Sequence, residues 1–319
     1  MEVQTIPEQL LFSTVRIETD LGVGTGFILQ VKINIGGSMI FLITNKHVIK
    51  DAKKISFFFT KAGLKTLSEE EKKTFYKKIK SFLTRPEDEK NNVRDYPLIG
   101  EKLQLEINGE KWFEHPDAKI DLTLINISLA LNNMEKNGNR IFIRSIPADL
   151  IPSKEFLQEL DALENVIFIG YPNGIYDRKN LLPITRTGMT ATPIYEDYEG
   201  EPQFLIDASV FPGSSGSPVF IYDKNGYKDK KGNTYMGSER IIFCGVISST
   251  LIRTDSGRLE FIEVPTKVLP MIETSQMIDL GVVIKSEKVK ELVELYLNHL
   301  NEENRRRFEP QKEFNEVNK

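Results

Sequence analysis

The chain has 319 residues, 40% of them hydrophobic and 28% charged, with a net charge of −4. This is the profile of an ordinary globular protein, long enough to bury a sizeable core. Nothing in the mildly acidic balance suggests a nucleic-acid-binding surface, and no run of ~18 apolar residues reads as a membrane span.

A single cysteine, Cys244, rules out an internal disulfide. A lone thiol fits a reducing setting, and Met1-Glu2-Val3-Gln4 lacks the basic start and long apolar run of a leader. The expected location is the cytoplasm. Cys244 reads either as a reactive thiol or as part of a buried strand, Ile241-Ile242-Phe243-Cys244, and the strand is the better reading.

Residues 11–60 read as strands. Gly36-Gly37 is a hairpin signal, and Met39 to Ile43 is a continuous apolar run leading to Thr44-Asn45-Lys46-His47. Residues 61–96 break the pattern. Ser68-Glu69-Glu70-Glu71 is a capping box, and Phe75, Ile79, Phe82 and Leu83 recur at helical spacing up to Pro86. A helical insertion is predicted there. Strands return from Leu103, with a hairpin signal at Asn108-Gly109 and an apolar strand opened by Asp121. Residues 130–164 read as a connector, polar at first and then helical from Ser153 to Leu163. Val166 starts a second strand-rich half, which ends near Ile284 and carries a charged hairpin from Asp223 to Gly237.

The last segment is a helix with Val289, Leu292, Val293, Tyr296 and Leu300 on one face. That face packs on its own protein or takes a regulatory protein partner. The predicted layout is therefore a first β unit at 1–135, a connector at 136–164, a second β unit at 165–284, and a C-terminal helix and tail at 285–319.

Gly213-Ser214-Ser215-Gly216-Ser217-Pro218 carries the strongest chemical signal. Nucleophilic acyl transfer needs a serine on a tight, exposed turn, with backbone N–H groups aimed where the tetrahedral oxygen forms. The amides of Gly213 and Ser215 are the expected oxyanion donors. A serine also needs a base. Of the three histidines, His47 follows an apolar strand, His115 lies in a loop-like stretch, and His299 falls in the C-terminal helix. A carboxylate must orient the base. Asp121 leads an apolar strand, with Asp117 in the preceding loop as its rival. The order His47, Asp121, Ser215 differs from that of subtilisins and α/β-hydrolases. No cluster has the ligand spacing of zinc, and no cofactor is expected.

Thr44-Asn45-Lys46-His47-Val48-Ile49 resembles the base motif of HtrA-type and other bacterial trypsin-like peptidases. Gly24-Thr25-Gly26-Phe27 is similar to the strand those enzymes carry upstream of it. Asp121-Leu122-Thr123-Leu124 is similar to their Asp-Leu-Ala-Leu/Val, and Gly170-Tyr171-Pro172-Asn173-Gly174 to the turn opening their second barrel. Ile206 to Pro218 resembles their nucleophile loop and its lead-in strand. The matches span roughly residues 10–275.

The resemblance implies a mostly β protein of two antiparallel six-stranded barrels, with the triad His47, Asp121 and Ser215 at their interface. It implies a serine endopeptidase acting on protein or peptide substrates. The alternatives are a non-catalytic interaction module on the same fold and, more remotely, an esterase. No PDZ domain follows the second barrel. Ser214 stands where pancreatic-type trypsins have an aspartate, so activation by a freed N-terminus is not expected. By the same resemblance the substrate pocket is lined by Ser209 at its base, by Ser248 and Thr250 on one wall, and by Leu259 on the far wall. Ser248 is expected beside the Asp121 carboxylate. Small or medium uncharged residues are the expected preference, unless Glu260 or Glu263 reaches the pocket.

Overall fold

A computed structural model describes residues 3–33, 37–66, 68, 93–108, 112–258 and 271–308. The chain opens with a helix, α1 (Ile6–Leu11), whose cap Thr5 bonds the Glu8 amide while the Glu8 carboxylate accepts from the Thr5 amide. Strands β1 (Thr14–Thr19), β2 (Val23–Ile33) and β3 (Gly37–Thr44) follow, and then the single turn α2 (Lys46–Ile49). Next come β4 (Lys54–Thr66), β5 (Val93–Asn108), β6 (Phe113–Glu114) and β7 (Thr123–Asn126).

These strands form one sheet in the order β5-β4-β1-β2-β3-β7-β6. Two further strands join it. β8 (Ile141–Phe142) pairs with β4, and β9 (Ile146–Pro147) runs parallel to β2. The first unit therefore has nine strands where six were expected. Residues 141–147, expected in a bare connector, are hydrogen-bonded into it.

The other departures are local. Residues 61–66 extend β4 and pair with 93–98 of β5, because each backbone finds a ladder partner there. The remainder of the predicted insertion, with its capping box, lies outside the described residues except for Ser68. The Gly36-Gly37 signal marks a true hairpin, since Ile33 pairs with Gly37. Asn108-Gly109 does not, because β5 pairs with β4 while β6 pairs with β7. The polar stretch after Ile127 is a helix, α3 (Ser128–Lys136). Of the predicted helix at 153–163, only α4 (Lys154–Leu157) forms.

The second unit is a closed barrel of six strands: β10 (Asn165–Gly170), β11 (Ile184–Thr190), β12 (Gln203–Asp207), β13 (Pro218–Asp223), β16 (Arg240–Arg258) and β17 (Met271–Lys285). The charged hairpin is present as β14 (Gly226–Lys228) and β15 (Thr234–Met236). Closure removes the free edges of the barrel sheet itself.

Alternation along the strands explains the continuous apolar runs. Phe27, Leu29, Phe41 and Ile43 face one core, and Ile28 and Leu42 face another. The first of these cores crosses the seam, taking Phe220, Phe243 and Val246 from the second barrel. Phe27 meets Phe243 edge-on at 5.3 Å. The same core takes Val289, Leu292 and Val293 of the C-terminal helix, α5 (Ser286–Phe308). Tyr296 packs edge-on against Phe41 at 5.4 Å and Phe113 at 5.5 Å, and its hydroxyl accepts from Asn126 Nδ2 at 3.3 Å. Of the two readings of that helical face, packing on its own protein is the one seen for Val289, Leu292, Val293 and Tyr296.

Candidate active site

β3 delivers His47 by ending at Thr44 and turning directly into α2. Asn45 occupies the cap position but does not cap the turn. Its buried side chain instead donates from Nδ2 to the Asp121 carbonyl at 2.7 Å. Asp121 lies just before β7, which begins at Thr123 rather than at the aspartate itself. Ile120 and Leu122 on either side are buried, so the chain there is pinned by its apolar neighbours.

The carboxylate engages His47 twice. Oδ1 accepts from the His47 amide at 3.1 Å, and Oδ2 lies 2.5 Å from His47 Nδ1. A carboxylate only accepts, so Nδ1 carries the proton and Nε2 presents its lone pair. The rival Asp117 accepts from the Lys119 amide at 2.9 Å and so closes its own loop. Lys46 Nζ donates to the Asp117 carbonyl at 2.9 Å, fastening that loop to α2.

Ser215 sits in the loop from Phe211 to Ser217, and both glycines of that loop are forced. Gly213 has φ +88°, and an added Cβ would stand 2.5 Å from the Tyr171 carbonyl oxygen. Gly216 also has φ +88°, and its Cβ would lie 1.9 Å from the Thr25 carbonyl oxygen. The turn at 171–174 supports the loop from below, with the Asn173 amide donating to Pro212 O at 2.5 Å. Among the described residues, the amides of Gly213 and Ser215 donate to nothing, whereas those of Ser214 and Gly216 donate to Phe211 O and Ile247 O. The Ser215 hydroxyl donates to Ser248 O at 3.2 Å, and no hydrogen bond joins it to His47.

Residues 24–226 match the sequence profile of the trypsin-like peptidase domain. The chain belongs to the trypsin-like peptidase family. No curated protein matches it in sequence. Among solved structures, the chain is similar to the inactive form of the Rv3671c protease of M. tuberculosis H37Rv, at 14% identity over 91% of each chain with a TM-score of 0.40. It is also similar to the scabies mite inactivated protease paralogue S-I1, at 15% identity over 91% of this chain and 98% of that one, with a TM-score of 0.37. Likenesses this distant say nothing of activity.

Of the expected pocket residues, Ser209, Ser248 and Thr250 are among those described. Ser209 is half-buried beside the lead-in strand. Among the described residues no hydrogen bond joins Ser248 to the Asp121 carboxylate, whose oxygens face His47; Ser248 meets Ser215 through its carbonyl. Thr250 donates its hydroxyl to Leu280 O on β17 at 3.1 Å. Leu259, Glu260 and Glu263 lie outside the described residues. A cleft opens elsewhere, lined by Arg16, Phe58, Lys102, Tyr171 and Tyr176 among others, and none of His47, Asp121 and Ser215 borders it.

The other reactive side chains stand apart. Cys244 is buried in β16, and burial pushes its thiol up to about 12. His299 packs its ring against Phe113 at 5.6 Å. His115 is buried against α5. Among the described residues, no group of three or more His, Cys, Asp or Glu is gathered to hold a metal, and no helix is long and apolar enough to cross a membrane.

Sequence reasoning passed over the role of Thr25. It is fully buried and bonds the Ser215 loop directly, but a threonine between two glycines in a strand carries no chemical signature of its own.

Proposed function

We propose that the protein is a serine endopeptidase with His47, Asp121 and Ser215 as its triad. The observation that carries this reading is the His47–Asp121 pair, which leaves Nε2 of a neutral imidazole as a free base. Ser215 Oγ attacks the scissile carbonyl carbon and passes its proton to His47 Nε2. The carbonyl oxygen becomes an oxyanion, received by the otherwise unengaged amides of Gly213 and Ser215. The C–N bond then breaks as His47 returns the proton to the leaving amine. Water, deprotonated by His47, hydrolyses the acyl-serine ester. Asp121 holds the imidazole tautomer throughout.

Attack requires the Ser215 hydroxyl to leave Ser248 O and turn towards His47. Contacts of this kind commonly tighten only once substrate is bound. With Ser209, an uncharged residue, at the base of the proposed pocket, small or medium uncharged side chains are the expected preference before the cut. A cation buried there would lack a counter-charge.

The same Ser248 contact favours a second reading, a non-catalytic interaction module on this fold. Fluorophosphonate labelling separates the two. An active peptidase is labelled at Ser215, and Ser215→Ala abolishes both labelling and casein hydrolysis. Hydrolysis by the alanine variant at the wild-type rate would sink the assignment.

A further inference from the structure

The loop that carries Ser215 alternates in how its peptides are held. The Pro212, Gly213, Ser214 and Ser215 carbonyls all accept hydrogen bonds, from Asn173 N, Thr25 Oγ1, Ser217 N and Thr25 N. Of the amides that follow them, those of Ser214 and Gly216 are bonded, and those of Gly213 and Ser215 are not. The two peptides that carry the free N–H groups are held through their own carbonyls, Pro212 O by Asn173 N and Ser214 O by Ser217 N, and the peptides that alternate with them, Gly213–Ser214 and Ser215–Gly216, are held by Thr25.

Thr25 supplies two of those four anchors. Its hydroxyl donates to Gly213 O at 2.7 Å and its amide donates to Ser215 O at 3.0 Å. The hydroxyl also accepts from the Tyr171 amide at 3.1 Å, tying the loop to the turn that supports it. The carbonyl of Thr25 accepts from Thr44 Oγ1 at 2.7 Å, at the end of the strand that presents His47. These groups are available because β2 pairs with β3 only from Phe27 onwards. Gly213, with φ +88°, is the residue about which the loop's peptides turn most easily, since glycine tolerates both signs of φ.

We propose that Thr25 is a positioning residue for the reaction. Its hydroxyl fixes the Gly213–Ser214 peptide, and so keeps the Gly213 and Ser215 amides aimed at the oxyanion. The proposal rests on the serine-peptidase reading. Thr25 touches no reacting atom; it acts through the loop.

The test compares Thr25→Val, which keeps the shape and loses the hydroxyl, with Thr25→Ser, which keeps the hydroxyl. Loss of an oxyanion donor costs on the order of 10²–10³-fold in kcat. Thr25→Val is expected to lose about 10²-fold in kcat with KM changed only a few-fold, and Thr25→Ser to recover most of the rate. Thr25→Ala carries the same expectation as the valine variant should that one misfold. A valine or alanine variant with wild-type kcat overturns the proposal, as does a serine variant no better than valine. A crystal structure of the valine variant gives a readout that needs no turnover: the Gly213 carbonyl is expected to have rotated away from residue 25, and an unmoved carbonyl also overturns it. A wild-type protein that neither labels nor hydrolyses defeats the peptidase reading, and the carbonyl orientation then still decides the role of Thr25.

Discussion

Nε2 of His115 lies 3.4 Å from Oε1 of Glu291, bridging the loop before Asp121 and the C-terminal helix α5. Nδ1 accepts from the Asp117 amide at 3.2 Å, so the neutral ring carries its proton on Nε2, towards the carboxylate. Burial is the largest influence and lowers the pKa of the ring; Glu291 and Asp117 raise it, and Lys288 and Lys46 lower it further. The net shift is downward from 6.5, so the unfolded chain takes up the proton first as pH falls. The stability from neutral His115 is therefore complete above the unfolded value and is lost as pH falls through the folded one. The urea midpoint is expected to drop between about pH 7.5 and 5.5, and to drop less in His115→Gln. Equal slopes for both proteins would refute this.

Asp121→Asn is expected to reduce kcat by about 10⁴-fold, because an amide favours the wrong imidazole tautomer. Asp117→Asn should leave kcat within a few-fold, since that carboxylate accepts from the Lys119 amide and has no contact with His47. Steady-state kinetics of the two variants decide between the carboxylates. Damage from Asp117→Asn alone would mean that the wrong one has been assigned.

Gly216→Ala is expected to cost at least about 2 kcal/mol, from a left-handed backbone and a forced contact with Thr25 O. Urea unfolding measures the loss, and fluorophosphonate labelling should fall with it. A variant as stable as the wild type would mean that the loop tolerates a shift its geometry forbids.

Arg144 and Asp95 form a two-pronged ion pair with both side chains only 4% exposed. Arg144→Met strands a buried carboxylate and is expected to cost about 3–5 kcal/mol. Adding Asp95→Leu should recover much of that loss, because the desolvated charge is gone. A double variant as unstable as the single one would show that the arginine acts through its packing on the Phe142 ring, 4.1 Å away, instead of through charge.

The parts of this protein that read directly from sequence are those where one residue type serves one chemical need. Ser215 in a Gly/Ser turn, His47 after an apolar strand and Asp121 between apolar residues stand out because their local pattern is unusual, and the structure brings two of them, His47 and Asp121, into contact. The continuous apolar run through Phe41, Leu42 and Ile43 announced a strand, although not that its two faces are buried in different cores. Helix α1 was legible and passed over: Thr5, Pro7 and Glu8 carry the capping pattern at its start. The pairing of β8 with β4 and of β9 with β2 was not legible, since strands of two residues have no period to detect. Nor was the Ser248 carbonyl beneath the Ser215 hydroxyl, because backbone acceptors leave no mark on side-chain identity.

Leu10 near the start of the chain, Phe27 and Phe41 in the first sheet, Phe243 in the barrel, and Leu292 in the last helix all share one core. A ribosome makes the final contributor only after almost everything else has emerged. The first sheet therefore waits through synthesis of the barrel with the sites for Leu292 and Tyr296 still open to water. A nascent chain cut short before α5 would offer that apolar surface to chaperones.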